Sequence, residues 1–110
     1  MSSRLQLFEH LMDSLKDPFV FVDIQHVIQY MNRTAVDHYK GKPADVGRSI
    51  FDCHNEKSKQ SILDIFESFQ NGENEKMITD NSQHRIFMRA VRDQEGKLIG
   101  YYERYEPPGK

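Results

Sequence analysis

Tryptophan is absent, cysteine occurs once, and no apolar run approaches the ~20 residues that a membrane-spanning helix needs. The single thiol, Cys53, forbids an internal disulfide, so the chain tolerates a reducing compartment. The N-terminus lacks the basic and apolar layout of a secretory signal, because Glu9, Asp13 and Asp17 interrupt it. A cytoplasmic address is expected, with no membrane. Charge of one sign is also missing. Fifteen Lys and Arg against seventeen Asp and Glu leave −2, which gives no default reason to expect nucleic acid as a partner. Repeats and low-complexity tracts are missing too, and 110 residues are too few for a multidomain enzyme or a solenoid of several repeats.

What is present suffices for one core. Area scaling puts the unfolded chain at roughly 19,000 Å² and the folded one at roughly 6,300 Å², so about two-thirds of the surface can be buried. Five Met and twelve Phe or Tyr supply bulky, adaptable core material. Residues 4–15 carry Leu5, Phe8, Leu11, Met12 and Leu15 at helical spacing, with Ser3 as N-cap and Asp17-Pro18 as stop. Residues 19–22 and 26–31 read as strands, joined by a turn that lacks the usual Gly. Asn32 is placed to cap a short helix over 33–40. Residues 44–56 read as irregular or short helical turns. Residues 57–70 form the clearest helix, with Ile62, Ile65, Phe66 and Phe69 on one stripe and Asn71-Gly72 at its end. Strands are expected over 75–80, 84–92 and 97–106. The fold class is α+β: a five-stranded antiparallel sheet with helices on one face. An N-terminal amphipathic helix, 1–16, precedes the domain, 17–106, and a tail, 107–110, follows it.

Three stretches carry a resemblance. They are Asp17-Pro18-Phe19-Val20-Phe21-Val22-Asp23 with Val27-Ile28-Gln29-Tyr30-Met31-Asn32-Arg33-Thr34-Ala35, then Gly47-Arg48-Ser49-Ile50, then Ala90-Val91-Arg92-Asp93-Gln94-Glu95-Gly96-Lys97-Leu98-Ile99-Gly100. In this order and spacing the chain resembles the PAS fold over nearly its whole length. It departs at Gln25-His26, where PAS domains often place an acidic residue and Gly. Asp52-Cys53-His54-Asn55-Glu56-Lys57-Ser58 is similar to the Cys-His-Pro-Pro-Lys-Ser stretch of PAS domains appended to hemerythrin-like prokaryotic proteins, with Asn55-Glu56 in place of the prolines. The resemblance implies a sensory or protein-interaction module of signal transduction, with a pocket between sheet and helices. Some relatives hold haem, flavin or a small metabolite there.

Cys53-His54 is the most unusual pair. A helix beginning near Glu56 would lower a thiol pKa and favour a redox or anion-sensing role; the alternative is a buried Cys and a His bonded to backbone at a cap. A small enzyme with Cys53 as nucleophile and His54 or His84 as base lacks a recognisable oxyanion hole, so no catalytic residue and no metal ligand is assigned. A flavin photocycle of the LOV type is not expected, because its Asn-Cys-Arg-Phe-Leu-Gln motif is missing. Haem would need an axial ligand, and 57–70 has no His, so His54 or His84 would serve. Tyr30, Cys53, His54, Lys57, Ser58, Phe66, Met88 and Tyr102 are the candidates for a ligand pocket. Leu5, Phe8, Leu11, Met12 and Leu15, with Phe87, Val91 and Tyr101 as sheet partners, are the candidates for a homodimer interface; the alternative is that the helix folds back on its own sheet. A short sensor-like chain is expected to signal by association with itself or with a signalling partner. Alternation leaves open which face of 97–106 points inward, because both faces carry Tyr.

Overall fold

A computed structural model describes residues 3–108. Met1, Ser2, Gly109 and Lys110, which fall in the expected loose ends, lie outside the described residues. The order is α1 (Arg4–Asp13), β1 (Val20–Asp23), β2 (Ile28–Met31), α2 (Arg33–His38), a 3-10 turn (Ile50–Cys53), α3 (Glu56–Gln70), β3 (Glu75–Asp80), β4 (Arg85–Arg92) and β5 (Leu98–Glu106). The sheet is wholly antiparallel with spatial order β2-β1-β5-β4-β3. The α+β class and the five-stranded sheet agree with the sequence expectation. Differences lie at the ends. The first helix stops at Asp13, so Leu15 falls beyond it, and Val27 bridges Ser49 instead of extending β2.

Local chemistry sets each boundary. Ser3 caps α1 in a reciprocal box, its hydroxyl accepting from the Gln6 amide while the Gln6 side chain accepts from the Ser3 amide. Asn55 caps α3 by accepting from the Ser58 amide at 2.8 Å. At the other end of α3, Arg92 reaches in from β4 and donates to the Phe69 and Glu73 carbonyls and to Asn74 Oδ1. A guanidinium there also meets the negative end of the helix dipole.

The register divides the sheet into two faces. Val20, Val22, Met88, Ala90 and Tyr101 point toward α3, with Val22 opposite Tyr101 and Met88 opposite Glu103. They form the core with Ile28, Ala35, Ile50, Ile62, Phe66 and Phe69. Burying each of the large α3 side chains contributes about 1.5–3 kcal/mol, so this helix is the main seal. Phe21, Phe87 and Tyr102 point the other way. On that outer side Arg104 lies 4.3 Å over the Phe87 ring and forks onto both Glu75 oxygens at 2.8 and 3.0 Å. Arg89 joins at 3.7 Å. Gly100 lets β1 cross closely, since an added Cβ would stand 2.2 Å from the Val22 carbonyl oxygen.

Helix α1 stands apart. None of its residues is buried, and Leu5, Leu7, Phe8 and Leu11 are about half exposed or more. The chain shows 7691 Å² of accessible surface against the roughly 6,300 Å² expected for its mass. What holds the helix is its C-terminal end. Asn32, with no exposed surface, donates from Nδ2 to the Met12 and Asp17 carbonyls and accepts at Oδ1 from the Phe19 and Ala35 amides. The Asp13 carboxylate and the Leu15 carbonyl add bonds from the Arg33 amide and the Thr34 hydroxyl.

Candidate functional site

Lys57, Ser58, Ser61, Ile62 and Ile65 share one face of α3 by helical spacing. That face looks across a cleft of about 310 Å³ at β3, β4 and β5. The walls are Ile62, Ile65, Ile78 and Ile86; the polar lining is His54, Lys57, Ser58, Ser61, Thr79 and Glu103. The bulge in β3 after Met77 brings both Ile78 and Thr79 to this side, where a regular strand would offer one of them.

Glu103 stands at the sheet wall of this cleft, between Tyr101 and Tyr105 on the helix-facing side of the central strand. Some of its surface stays open, yet protein surrounds it closely enough that burial pushes its carboxyl above the ordinary range, opposed only by His54. Its charge adds to burial in raising the tyrosines around it. Tyr39 and Tyr101 are pushed well up, and Tyr105 up to about 12.

The expected sites fall into three groups. His54, Lys57 and Ser58 do line the cleft, with Met88 buried opposite Glu103. Phe66 lies deeper, in the aromatic core. Tyr102 and Tyr30 correct the expectation: both face outward, Tyr102 stacked on Phe19 at 4.7 Å and Tyr30 edge-on to the same ring. Tyr101 corrects the interface set, since it is buried on the helix side and cannot meet a partner through the outer face. The shift of register beside Val91 sets this parity, by leaving Ile99 unpaired between Leu98 and Gly100. Phe87 and Val91 do lie on the outer face, but α1 does not fold back onto them.

Cys53 also departs from expectation. Burial pushes its thiol up, and Glu103 and Asp52 add to this. The helix terminus that would have lowered it is occupied by the Asn55 cap. Sγ donates to the Ile50 carbonyl at 3.2 Å. His54 Nδ1 lies 2.8 Å from the same oxygen, an acceptor, so this nitrogen carries its proton there. It cannot take one from Cys53, 3.3 Å away. The pair is a turn clip built on backbone rather than a nucleophile with its base.

His26 was not foreseen as a site residue. It occupies the glycine-lacking turn at φ 65°, the only non-Gly residue with positive φ among the described residues. Its ring is tucked between Phe51 and Phe66, with Nδ1 2.9 Å from the Tyr101 hydroxyl. Burial lowers its pKa.

Comparison with known proteins settles the family. The sequence model of the PAS domain matches residues 8–105. The chain belongs to the PAS domain family. Among solved structures, the C-terminal domain of a Streptococcus mutans protein superposes with a TM-score of 0.75 at 25% identity, covering 94% of this chain and 84% of that one. The PAS domain of Bordetella pertussis BvgS gives 0.67 at 13% identity, covering 99% and 89%. A Vibrio cholerae receptor described as a dual PAS-haem oxygen sensor gives 0.53 at 19% identity, covering 82% and 92%. The latter two likenesses concern the fold alone. A search of curated protein sequences gives no match.

Haem does not fit this PAS domain's cleft. The space is at the small end of ligand pockets, and a poorly solvated carboxylate at its wall is an adverse neighbour for an apolar macrocycle. His84, the other candidate ligand, stacks edge-on to Tyr105 and does not line the cleft.

Proposed function

We infer that this PAS domain is a sensory module of a prokaryotic signalling system, working in a reducing compartment. It answers a small ligand held between α3 and the sheet. The observation that carries the reading is the cleft itself, with His54, Lys57, Ser58 and Glu103 on one aliphatic-walled space. Its walls are α3 and the three strands β3–β5, so a ligand there changes how the main seal of the core sits on the sheet. The role is binding rather than catalysis, since the one thiol and its neighbouring His are engaged with the Ile50 carbonyl.

The output is self-association through α1. Leu5, Phe8 and Leu11 are exposed on a helix tied to the domain only near its end, and the outer sheet face, where Phe87 and Val91 lie among Arg89, Arg104 and Glu75, is presented to a second copy or a signalling partner. Native mass spectrometry of freshly purified protein tests both parts, by reporting oligomer and retained small molecule together. The expected result is a dimer with a bound ligand of low mass. Phe8→Glu with Leu11→Glu should give a monomer that keeps the protomer's circular dichroism spectrum, because neither side chain is buried in the protomer. A wild-type monomer that retains nothing and binds no small molecule would refute the reading.

A further inference from the structure

Glu103 is a carboxyl group with no ion-pair partner among the described residues. Among the described residues the ion pairs take in Asp52, Glu73, Glu75 and Glu106, but not Glu103. No hydrogen bond contributes to its environment either. Every fully enclosed side-chain oxygen among those residues has a partner. The unpartnered Glu103 oxygens are therefore not fully enclosed, and Glu103 lines the α3 cleft. A carboxylate crowded by Met88, Tyr101 and Tyr105 loses water without gaining a donor, a cost that folding alone does not offset. A donor arriving from the cleft would offset it.

The remaining lining narrows what can arrive. The apolar walls are four isoleucines, and no Phe or Tyr ring lines the cleft, so the body of a ligand would pack against aliphatic side chains. The volume of about 310 Å³ limits it to a small molecule. The strongest complement to a poorly solvated carboxylate is a cationic donor. We propose that the α3 cleft binds a small organic ammonium ion, its nitrogen on Glu103 and a short branched aliphatic body against Ile62, Ile65, Ile78 and Ile86. Two sources share this chemistry: a simple amine, and an α-amino acid whose carboxylate would meet Lys57 at the exposed mouth. The inference rests on the reading that this cleft is the ligand site.

Calorimetric titration of the full chain near neutral pH tests it with four probes: 3-methylbutylamine, 3-methylbutan-1-ol, 3-methylbutanoate and leucine. The amine should bind at least about tenfold more tightly than the alcohol, as expected for a charge-assisted contact. Glu103→Gln should erase that preference while leaving alcohol binding in place. Removing the charge relieves an unpaired group, so this variant should fold. Ser61→Phe, which fills the mouth from an exposed position, should abolish binding of every probe and leaves Glu103 intact. Leucine binding at least as tightly as the amine, and weakened by Lys57→Gln, would identify the amino acid as the source. Equal or tighter binding of alcohol or carboxylate would overturn the ammonium assignment while the sensory reading stands. Amine affinity untouched by Glu103→Gln would overturn it as well. No binding of any probe would overturn it, and native mass spectrometry would then decide the sensory reading separately.

Discussion

Replacing Asn32 with Ala removes four hydrogen bonds from a side chain with no exposed surface. The Ala35 amide is buried and the Phe19 amide is part-buried, so each is left without an acceptor at about 1–3 kcal/mol. The Met12 and Asp17 carbonyls are nearer the surface and regain water more cheaply. The sum is a loss of about 3–4 kcal/mol, a large share of the roughly 5–15 kcal/mol that holds a domain together. At about 4 °C per kcal/mol for a chain of this size, the midpoint should fall by about 12–16 °C. Asn32→Asp separates the two halves of the clip. It keeps both amide donors satisfied, but turns an oxygen toward the Met12 and Asp17 carbonyls where Nδ2 donated. The domain should then lose only about 2 kcal/mol, while amide exchange over residues 4–13 rises as α1 comes loose. Urea unfolding followed by circular dichroism gives the energies, and hydrogen exchange gives the location. A loss below about 1 kcal/mol for Asn32→Ala, or an α1 equally protected in Asn32→Asp and the wild type, would refute the idea that one side chain fastens the helix.

Two predictions concern pH and have opposite signs. The folded Glu103 carboxyl titrates above its ordinary value of 4.5, so the folded state holds the proton more firmly. Stability is full below 4.5 and falls as pH rises through the raised pKa. Glu103→Gln should remove that slope, and a wild type as stable as the variant at pH 8 would refute it. The folded His26 ring titrates below its ordinary value of 6.5, so the unfolded chain takes the proton first. Stability is full above 6.5 and is lost as pH falls below it. His26→Phe should lose about 1–2 kcal/mol at pH 8 through the orphaned Tyr101 hydroxyl. The gap should narrow by pH 5, and melting scans across that range check it.

Much of this was legible because capping and breaking residues are local. Asn32 and Asn71-Gly72 mark helix ends from the sequence outward, and the alternation of Ile86, Met88 and Ala90 groups the inward side of β4. Asn55 explains why α3 starts one residue earlier than expected, at Glu56. Strand β5 was not legible. Tyrosines on both sides hide its parity, and the irregularity at Ile99 is a property of pairing with Val91 and Arg92, which no single strand reveals. Tyr101 and Tyr102 were therefore assigned to each other's faces. Once Tyr101 is known to point inward, period two puts Glu103 at the cleft without further information. From the sequence, His26 is only a residue in a turn that lacks its usual Gly. Its missing Gly was the available signal, because a side chain held at positive φ beside a sheet must go somewhere, and here it goes inward. The raised thiol pKa of Cys53 comes first from burial, with Glu103, fifty residues away in sequence, adding to it, and both lie beyond any local reading.

The strand order has a consequence for how the protein is made. Strand β5 pairs with both β1 and β4, so the strand synthesised last is the one in the middle. As the chain emerges from the ribosome, β1 with β2 and β3 with β4 are two separate hairpins with no edge in common. A lone two-stranded hairpin is marginal in water. Until residues 98–106 appear, neither half of the sheet has its neighbour, and α3 has only part of a surface to cover. Closure must then join Phe21 to Tyr102 across most of the chain, the kind of long-range pairing that slows folding. A nascent chain stalled short of Gly100 would expose two unpaired strand edges to chaperones and to other nascent chains. This makes the synthesis of residues 98–106 the step at which the domain either forms or is lost.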